Sequence, residues 1–400
     1  MIILQILLLL VTLYLGFGVL YQLGYALTGL MPTPKPIPKD EKLRSFAVFI
    51  AAYKEDGVIV ETARRALRQR YPQELFEIVV LADKMRDSTV AKLRKLPIQV
   101  VEMDFVDSTK SKSLREGIAA LKHLNYDGAI VLDADNQMAP DFLLEANRYM
   151  SAGFRVIQGQ RTAPPLVGLN ETARWDAISE AINNHILCAG HHAIGLSARL
   201  AGSGMIFDFN LFEKVMEDVN AIGGFDKELE LRLTQMGESI AYAEDAVVYD
   251  EKVGNPEVFA RQRGRWLAAQ YTYARRFLGK GVAAFVLRGQ VDFFNKAIQM
   301  ALPPRLLLPV ALLVLATACL PFNLNYSAIF AGLFMLNVSS FALAVPPSMW
   351  ESASWMLVSK LPQLVWQACR AVVMIPASAK TFYHTPHAEV IVAENEEAHV

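Results

Sequence analysis

The sequence predicts an α/β chain: a mostly parallel, Rossmann-like sheet with helices on both faces, held at a membrane by apolar helices. Three observations carry this. From Ser45 onward, short β-rich apolar runs alternate with helical segments, the pattern of parallel strands joined by crossover helices. Several of those runs end on an acidic residue. Finally, a hydrophobic fraction of 53% and a mean hydropathy of +0.25 are high for a soluble protein, and the excess lies at the two ends of the chain.

The first 31 residues form the first element. No charged residue occurs from Ile2 to Met31, a stretch longer than the ~20 apolar residues that cross a bilayer. A signal peptide would have a shorter apolar region behind a positive charge, and neither holds. Lys35, Lys39, Lys42 and Arg44 follow, so the positive-inside rule puts the next segment in the cytoplasm. Residues 32–44, with "MPTPKPIPKD", form a stiff Pro-rich linker. The body is expected over 45–280. Its strands are "FAVFIAAY", "FEIVVLAD", "IQVVEM" and "GAIVLDAD"; its helices run through "ETARRALRQRY", "STVAKLRKL" and "KSLREGIAALKHL". A membrane region follows over 281–378, with interfacial helices and two transmembrane helices at about 305–321 and 325–346. Lys360, Gln363, Gln367 and Arg370 recur at helical spacing, which suits a helix lying in the interface better than one crossing it. Residues 379–400 are then a cytoplasmic tail.

Composition excludes several classes. Lys+Arg 39 against Asp+Glu 40 leaves a net charge of −1 and no basic field for nucleic acid. No G-x-G-x-x-G and no P-loop follows any strand. Cys188, Cys319 and Cys369 form no C-x-x-C, and the His191-His192 and His384-x-x-His387 pairs lack the partners of a zinc site.

The strand ends carry the chemistry. The first ends in Ala52-Tyr53-Lys54-Glu55, the second in Asp83, and the fourth in Asp133-Ala134-Asp135. Each alone reads more readily as a turn residue than as a ligand. Together, acidic groups on neighbouring strand tips repel unless a cation sits among them, and a D-x-D suits hard Mg²⁺ or Mn²⁺ shared with a substrate phosphate. Open α/β sheets bind ligands at this edge. Lys110 and Lys112 precede the third helix, either as a solvated loop or as a phosphate partner; we assign that partner as Lys112. The small residues of "LAGSGMIF" around Ser203 and Gly204 permit close approach to an acceptor. Asp226 follows a glycine pair, as a helix N-cap or a reactive carboxylate. Gln262, Arg265 and Trp266 offer a phosphate fork and a stacking platform, or else an amphipathic helix with an interfacial Trp.

In this order the parts resemble the membrane-bound family 2 glycosyltransferases of GT-A fold, the group of cellulose, hyaluronan and poly-N-acetylglucosamine synthases. "AAYKE" is similar to the family's P-A-Y-N-E, "LADKMRDST" to its nucleotide-contacting D-N-x-x-D, "DAD" to D-x-D and "RQRGRW" to Q-x-x-R-W. "KTFYHTPH" resembles the gating loop F-x-V-T-P-K, through Phe382, Thr385 and Pro386. The resemblance implies donor binding by Ala52, Tyr53, Glu55, Asp83, Lys112, Asp133, Gln262, Arg265, Trp266 and Thr385. It implies acceptor binding by Ser203, Gly204 and Trp266, and a metal on Asp133 and Asp135. The implied activity is an inverting transfer from a nucleotide sugar, UDP-linked, to a polysaccharide or lipid acceptor at a bacterial inner membrane, with membrane or export partners. The family's T-E-D maps onto Gly224-Phe225-Asp226, giving Asp226 as catalytic base with Phe225 in place of Glu; Glu228 is the runner-up. That departure leaves open an inactive family member serving as a membrane assembly partner.

Overall fold

The computed structural model describes residues 2–32, 36–164, 169–221, 223–252 and 256–352. Helix α1 (Ile2–Thr28) precedes the body. The body begins β1 (Phe46–Tyr53), α2 (Ile59–Ala66), β2 (Phe76–Asp83), α3 (Asp87–Leu93), β3 (Gln99–Met103), α4 (Lys110–Leu121), β4 (Gly128–Asp133). It continues β5 (Gln137–Met138), α5 (Phe142–Ser151), β6 (Val156–Thr162) and α6 (Glu171–Asn183), which runs through a π-helical turn, Asn184–Ala189, into α7 (Gly190–His192). Then come β7 (Met205–Asp208), α8 (Phe209–Met216), α9 (Phe225–Gln235), β8 (Ile240–Tyr249) and α10 (Pro256–Arg288). Helices α11 (Val291–Ala301), α12 (Leu308–Cys319) and α13 (Leu324–Ala344) follow.

The strands form one sheet in the order β3-β2-β1-β4-β7-β6-β8-β5. β1 lies parallel between β2 and β4, whereas β7 runs antiparallel to both β4 and β6. The sheet is therefore mixed, with four strands beyond those the sequence pattern marks. β1, β2 and β4 are buried on both faces and so read as unbroken apolar runs. Phe49, Leu81 and Val131 meet α4 and α8 on one face; Ile50, Val80 and Leu132 meet α2 and α5 on the other.

Register is pinned at both ends of β1. At its start the Asp127 carboxylate accepts from the Ser45 amide at 2.9 Å and hydroxyl at 3.1 Å, and from Lys42 Nζ at 2.6 Å. At its end the Lys54 amide donates to the Asp83 carbonyl at 3.1 Å. Tyr53 is thereby paired with Asp83, and Ala51 with Asp133.

Among the described residues two helices, α1 with 27 residues and α13 with 21, are long and apolar enough to cross a bilayer. α12 has 12 residues and rises about 18 Å, short of a ~30 Å hydrocarbon core. Leu15 and Val19 of α1 pack on Leu308, Leu312 and Phe330, and Gln22 accepts from Asn337 Nδ2 at 3.2 Å. The other end of α1 docks on the body. Tyr25 stacks on His191 with centroids 3.7 Å apart, and Thr28 Oγ1 donates to the Gly190 carbonyl at 2.8 Å. A Cβ on Gly190 would run into the Tyr25 carbonyl oxygen, so only glycine allows this approach.

Gly190→Ala should therefore push α1 off the body and destabilise the fold by ~1–3 kcal/mol, the usual range for overpacking. A lowered thermal midpoint in detergent, together with faster proteolysis in the 32–44 linker, is the expected readout. An unchanged midpoint would contradict the docking.

Candidate active site

The register gathers polar groups at one edge. Beyond β1 and β2 the chain turns sharply, and Lys54 and Lys84 hold φ values of 56° and 55°, in the left-handed region that lysine seldom adopts. This turn brings Glu55 back beside Asp83. The Asp83 side chain is 1% exposed, and neither carboxylate oxygen accepts a hydrogen bond of normal geometry. Burial raises its pKa, against the opposing influence of the Ser108 hydroxyl, the Phe105 amide and Lys84. A buried carboxylate whose neighbouring donors are off normal geometry has room for a better-placed N–H or O–H.

Asp133 closes β4. Lys110 Nζ pairs with its carboxylate and donates to the Gly202 carbonyl at 2.7 Å. The lysine that the structure brings to the D-x-D is thus Lys110, not Lys112. Thr109 caps α4, so Lys110 is its first residue; two residues on, the helix has turned ~200°. Lys112 Nζ accordingly points away and donates to the Asp107 carbonyl at 2.7 Å.

Ser203 and Gly204 lie behind the D-x-D rather than in front of it. The Ser203 hydroxyl accepts from the Asp133 amide at 3.0 Å and is wholly buried, while the Gly204 carbonyl accepts from the Gly159 amide at 2.8 Å. Their small size serves the β4–β7–β6 packing and fixes Asp133. Neither lines the cavity.

That cavity, of about 250 Å³, is walled by Ala51, Ala52, Tyr53, Glu55 and Asp83 on one side and by Lys110, Asp133 and Asp135 on its floor. Gln262, Arg265 and Trp266 of α10 close it. Nine of the ten donor-site and metal-site positions expected within the described residues therefore meet in one place; Lys112 does not. Thr385 and its loop lie outside the described residues. Three lining residues carry roles the sequence reading did not assign: Arg161, Asp176 and Asp250. Arg161 sits 3.5 Å from Glu180 and 3.6 Å from Asp250, and Lys252 pairs with Asp250 at 2.6 Å. The ending "VVYDE" after a β-rich run was the available signal, of the same kind as Asp83.

Seven carboxylates line the cavity (Glu55, Asp83, Asp133, Asp135, Asp176, Asp250, Glu251) against three cations (Lys110, Arg161, Arg265). A wall so rich in carboxylate oxygens suits a hard divalent cation. Among the described residues no group of three or more His, Cys, Asp or Glu forms a closed metal cage. Asp133 and Asp135 thus fit an ion that completes its shell with phosphate oxygens and water.

Asp226 stands in the first turn of α9, half-buried, after Gly224 at φ 63°, and does not line the cavity. Phe225 reaches toward it instead, its ring centroid 5.1 Å from Lys110 Nζ. Glu228 is 1% exposed and clasped: its Oε1 accepts from Arg232 Nε at 3.0 Å and Nη2 at 2.8 Å, and from Arg276 Nη1 at 2.8 Å. A carboxylate so held is a structural anchor for α9 and α10.

Residues 44–269, more than half of the chain, match the family described as glycosyltransferase like family 2. The chain belongs to this family. It is 24% identical over 269 residues to the probable glycosyltransferase YdaM of Bacillus subtilis, a match covering 62% of this chain and 60% of that relative. The fold is that of the mannosyltransferase PcManGT from Pyrobaculum calidifontis, solved with GDP-Man and Mn²⁺. Over 92% of this chain and 98% of that one the TM-score is 0.54, at 15% identity. The sheet is thus a family 2, GT-A-type sheet, with its acidic edge at the carboxyl ends of β1, β2 and β4.

Because burial raises the Asp83 pKa, the folded state favours the protonated carboxyl, and ionisation weakens the fold as pH rises through the folded value. Asp83→Asn should therefore raise the thermal midpoint at pH 7, the gain fading as pH falls toward 3.8, where the unfolded carboxyl also protonates. UDP binding should weaken in the same variant. A lower midpoint at pH 7 would show that Asp83 is paired in the native protein.

Proposed function

We propose that this family 2 member is an active, membrane-anchored, metal-dependent inverting glycosyltransferase using a UDP-sugar. The observation that carries this is the convergence of Asp83, the D-x-D and the Q-x-x-R-W in one cavity. The buried Asp83 carboxylate, which has no hydrogen bond of normal geometry, suits the N–H of a nucleobase. Uracil offers one at N3; guanine would also satisfy it, so a GDP-sugar is the comparison to run.

A divalent cation on Asp133 and Asp135 would supply Lewis acidity at the diphosphate. The chain's own residues do the rest. Lys110, on moving from Asp133, would neutralise a phosphate oxygen, and Arg265 would fork another, so that both offset the charge of the departing diphosphate. Trp266 gives the acceptor a flat surface beside the donor. Asp226, which stands outside the cavity wall in this structure, would turn in to take the proton of the acceptor hydroxyl as its oxygen bonds to the anomeric carbon. The carbon–oxygen bond to the diphosphate breaks on the opposite face, and the nucleoside diphosphate leaves with the electron pair. Inversion follows from that single displacement.

The exposed apolar surface of α1 and α13 suits lipid, with α12 as a shorter partner packed mainly against α13. The basic residues after α1 favour a cytoplasmic body.

Transfer from a panel of radiolabelled UDP-sugars and GDP-mannose by the purified full chain tests this reading. We expect activity with Mn²⁺ or Mg²⁺, abolished by EDTA and by Asp135→Ala at unchanged thermal midpoint. Activity persisting in EDTA would refute the metal assignment.

The base is tested separately. Asp226→Asn should keep the midpoint and lower turnover about 10²–10⁴-fold. Glu228→Gln should do the opposite, lowering stability by ~1–3 kcal/mol through the loss of a charged partner for two guanidinium groups, with turnover of the folded fraction retained. If Glu228→Gln alone were inactive, the base would be Glu228. If both variants matched the parent and no sugar were transferred, the assembly-partner reading would replace this one.

A further inference from the structure

A second cavity, of about 560 Å³, lies across α10 from the donor cavity. Much of its wall is apolar and comes from the membrane-type helices: Tyr21 of α1, Leu313 and Val314 of α12, Phe334 and Phe341 of α13. Nonetheless four cations face it, Arg199, Lys227, Arg263 and Arg305. Arg263 is paired with Asp176 at 2.6 Å. The other three have no carboxylate within 4.0 Å among the described residues. Arg305 donates only to neutral oxygens, Asn183 Oδ1 at 2.6 Å and Ser179 Oγ at 2.8 Å and carbonyl at 3.1 Å. Arg199 Nε is buried with no acceptor at all. The one carboxylate in the wall, Glu230, is already taken: it accepts from the Leu200 amide at 2.7 Å and sits 3.4 Å from Lys296.

Three cations with no ion pair of their own, reached by Glu180, Glu230 and Asp226 only from beyond 4.0 Å, are costly against an apolar chamber unless an anion joins them. The anion must enter an apolar space, so it is one end of an amphiphile. The walls are continuous with helices that suit lipid, so its source is the bilayer. We infer that the chamber holds a lipid-borne phosphate that carries the sugar acceptor. The tail lies along α1, α12 and α13, and the phosphate accepts from Arg199, Lys227 and Arg305. The hydroxyl-bearing group beyond it passes Trp266, which borders both cavities. Helix geometry supports the passage: Gln262 and Arg265 face the donor cavity, while Arg263, Leu267 and Gln270 at i, i+4 and i+7 face the chamber. Lys227 also adjoins Asp226 in sequence, which brings the phosphate next to the proposed base. This inference rests on the donor-site reading above and names its acceptor class. The transfer is unchanged: the acceptor oxygen bonds to the anomeric carbon, its proton goes to Asp226, and the nucleoside diphosphate leaves with the electron pair.

Trp175, Trp266 and Trp350 line the chamber, so tryptophan emission of the purified full chain in detergent reports its occupancy. Farnesyl phosphate, farnesol and inorganic phosphate are the probes. We expect saturable binding of farnesyl phosphate, at least tenfold tighter than farnesol and tighter still than inorganic phosphate. Arg199→Gln and Lys227→Gln should each weaken farnesyl phosphate about tenfold or more and leave farnesol unchanged, the farnesol titration serving as the check that the chamber is intact. Equal affinity for farnesol and farnesyl phosphate, or no effect of either variant, would overturn the inference. Inorganic phosphate binding as tightly as the lipid would mark a soluble-anion site and overturn it too. UDP binding with Mn²⁺, measured by calorimetry on the same preparation, keeps the two readings apart: its absence alongside intact farnesyl phosphate binding would sink only the donor site.

Discussion

The clasp between Ser45 and Asp127 sets the register on which the rest of the site depends. β1, β2 and β4 are apolar on both faces, so alternation of hydrophobic and polar residues cannot fix how they slide. The two Ser45–Asp127 bonds at one end and the Lys54–Asp83 bond at the other do so. Gly128 adds a steric lock, since a Cβ there would meet the Phe46 ring. A slip of one residue would move Asp133 by about 3.3 Å relative to Asp83 and turn its side chain to the opposite face of the sheet. The acidic edge exists because the strands cannot slip.

Gathering seven carboxylates on that edge works against stability, and the protein offsets only part of it. Arg161, between Glu180 and Asp250, and Lys252 on Asp250 neutralise the inner part. Lys110 does the same for Asp133 in a way that ligand can undo, being a flexible ammonium rather than a fixed guanidinium. Asp83 is left with no hydrogen bond of normal geometry, the Ser108 hydroxyl and Phe105 amide only approaching it. The uncompensated remainder sits where a nucleotide and a cation would supply what is missing, a common trade between stability and binding.

Much of this was legible in the sequence, for physical reasons. Strands buried on both faces leave continuous apolar runs, and β1 and β2 fall on the quoted segments "FAVFIAAY" and "FEIVVLAD". β6 and β7 left no such trace. "VIQGQRT" is mostly polar, "MIFD" is four residues long, and both are held by neighbours far away in sequence. β8 is broken by the register shift opposite Gly159–Gln160, which hides its alternation. α2 stops at Ala66 rather than at Tyr71 because tertiary contacts take over: the Arg70 amide donates to the Pro140 carbonyl, and the Tyr71 hydroxyl to the Arg44 carbonyl. At the site, residue types were readable and directions were not. Whether Lys110 or Lys112 faces Asp133 depends on where α4 begins, which the Thr109 cap decides. Ser203 looked like a ligand-facing residue because close backbone approach to a strand and to a substrate require the same small side chains.

α10 is the element that joins the two cavities, and its rigidity has a structural basis. Tyr273 and Phe277 bury against the core, Phe277 meets Phe293 edge-on with centroids 6.4 Å apart, and Gly281 lets Ala297 of α11 close in. Arg276 adds the tie to Glu228 on α9. The helix thus presents the donor-facing Gln262 and Arg265 and the chamber-facing Arg263 and Gln270 from one stiff rod, fixed to the helix that carries Asp226 and Lys227. Arg263 packs over the Trp266 ring at 4.4 Å while it pairs with Asp176, a residue that also lines the donor cavity. A shift of Trp266 would therefore be felt on both sides through that contact. Because Gln262, Arg265 and Arg263 hang from α10 and Asp226 and Lys227 from α9, the spacing of these two groups depends on the Glu228–Arg276 tie. Glu228, the runner-up base of the sequence reading, is the carboxylate that makes this tie, accepting from Arg232 as well as Arg276.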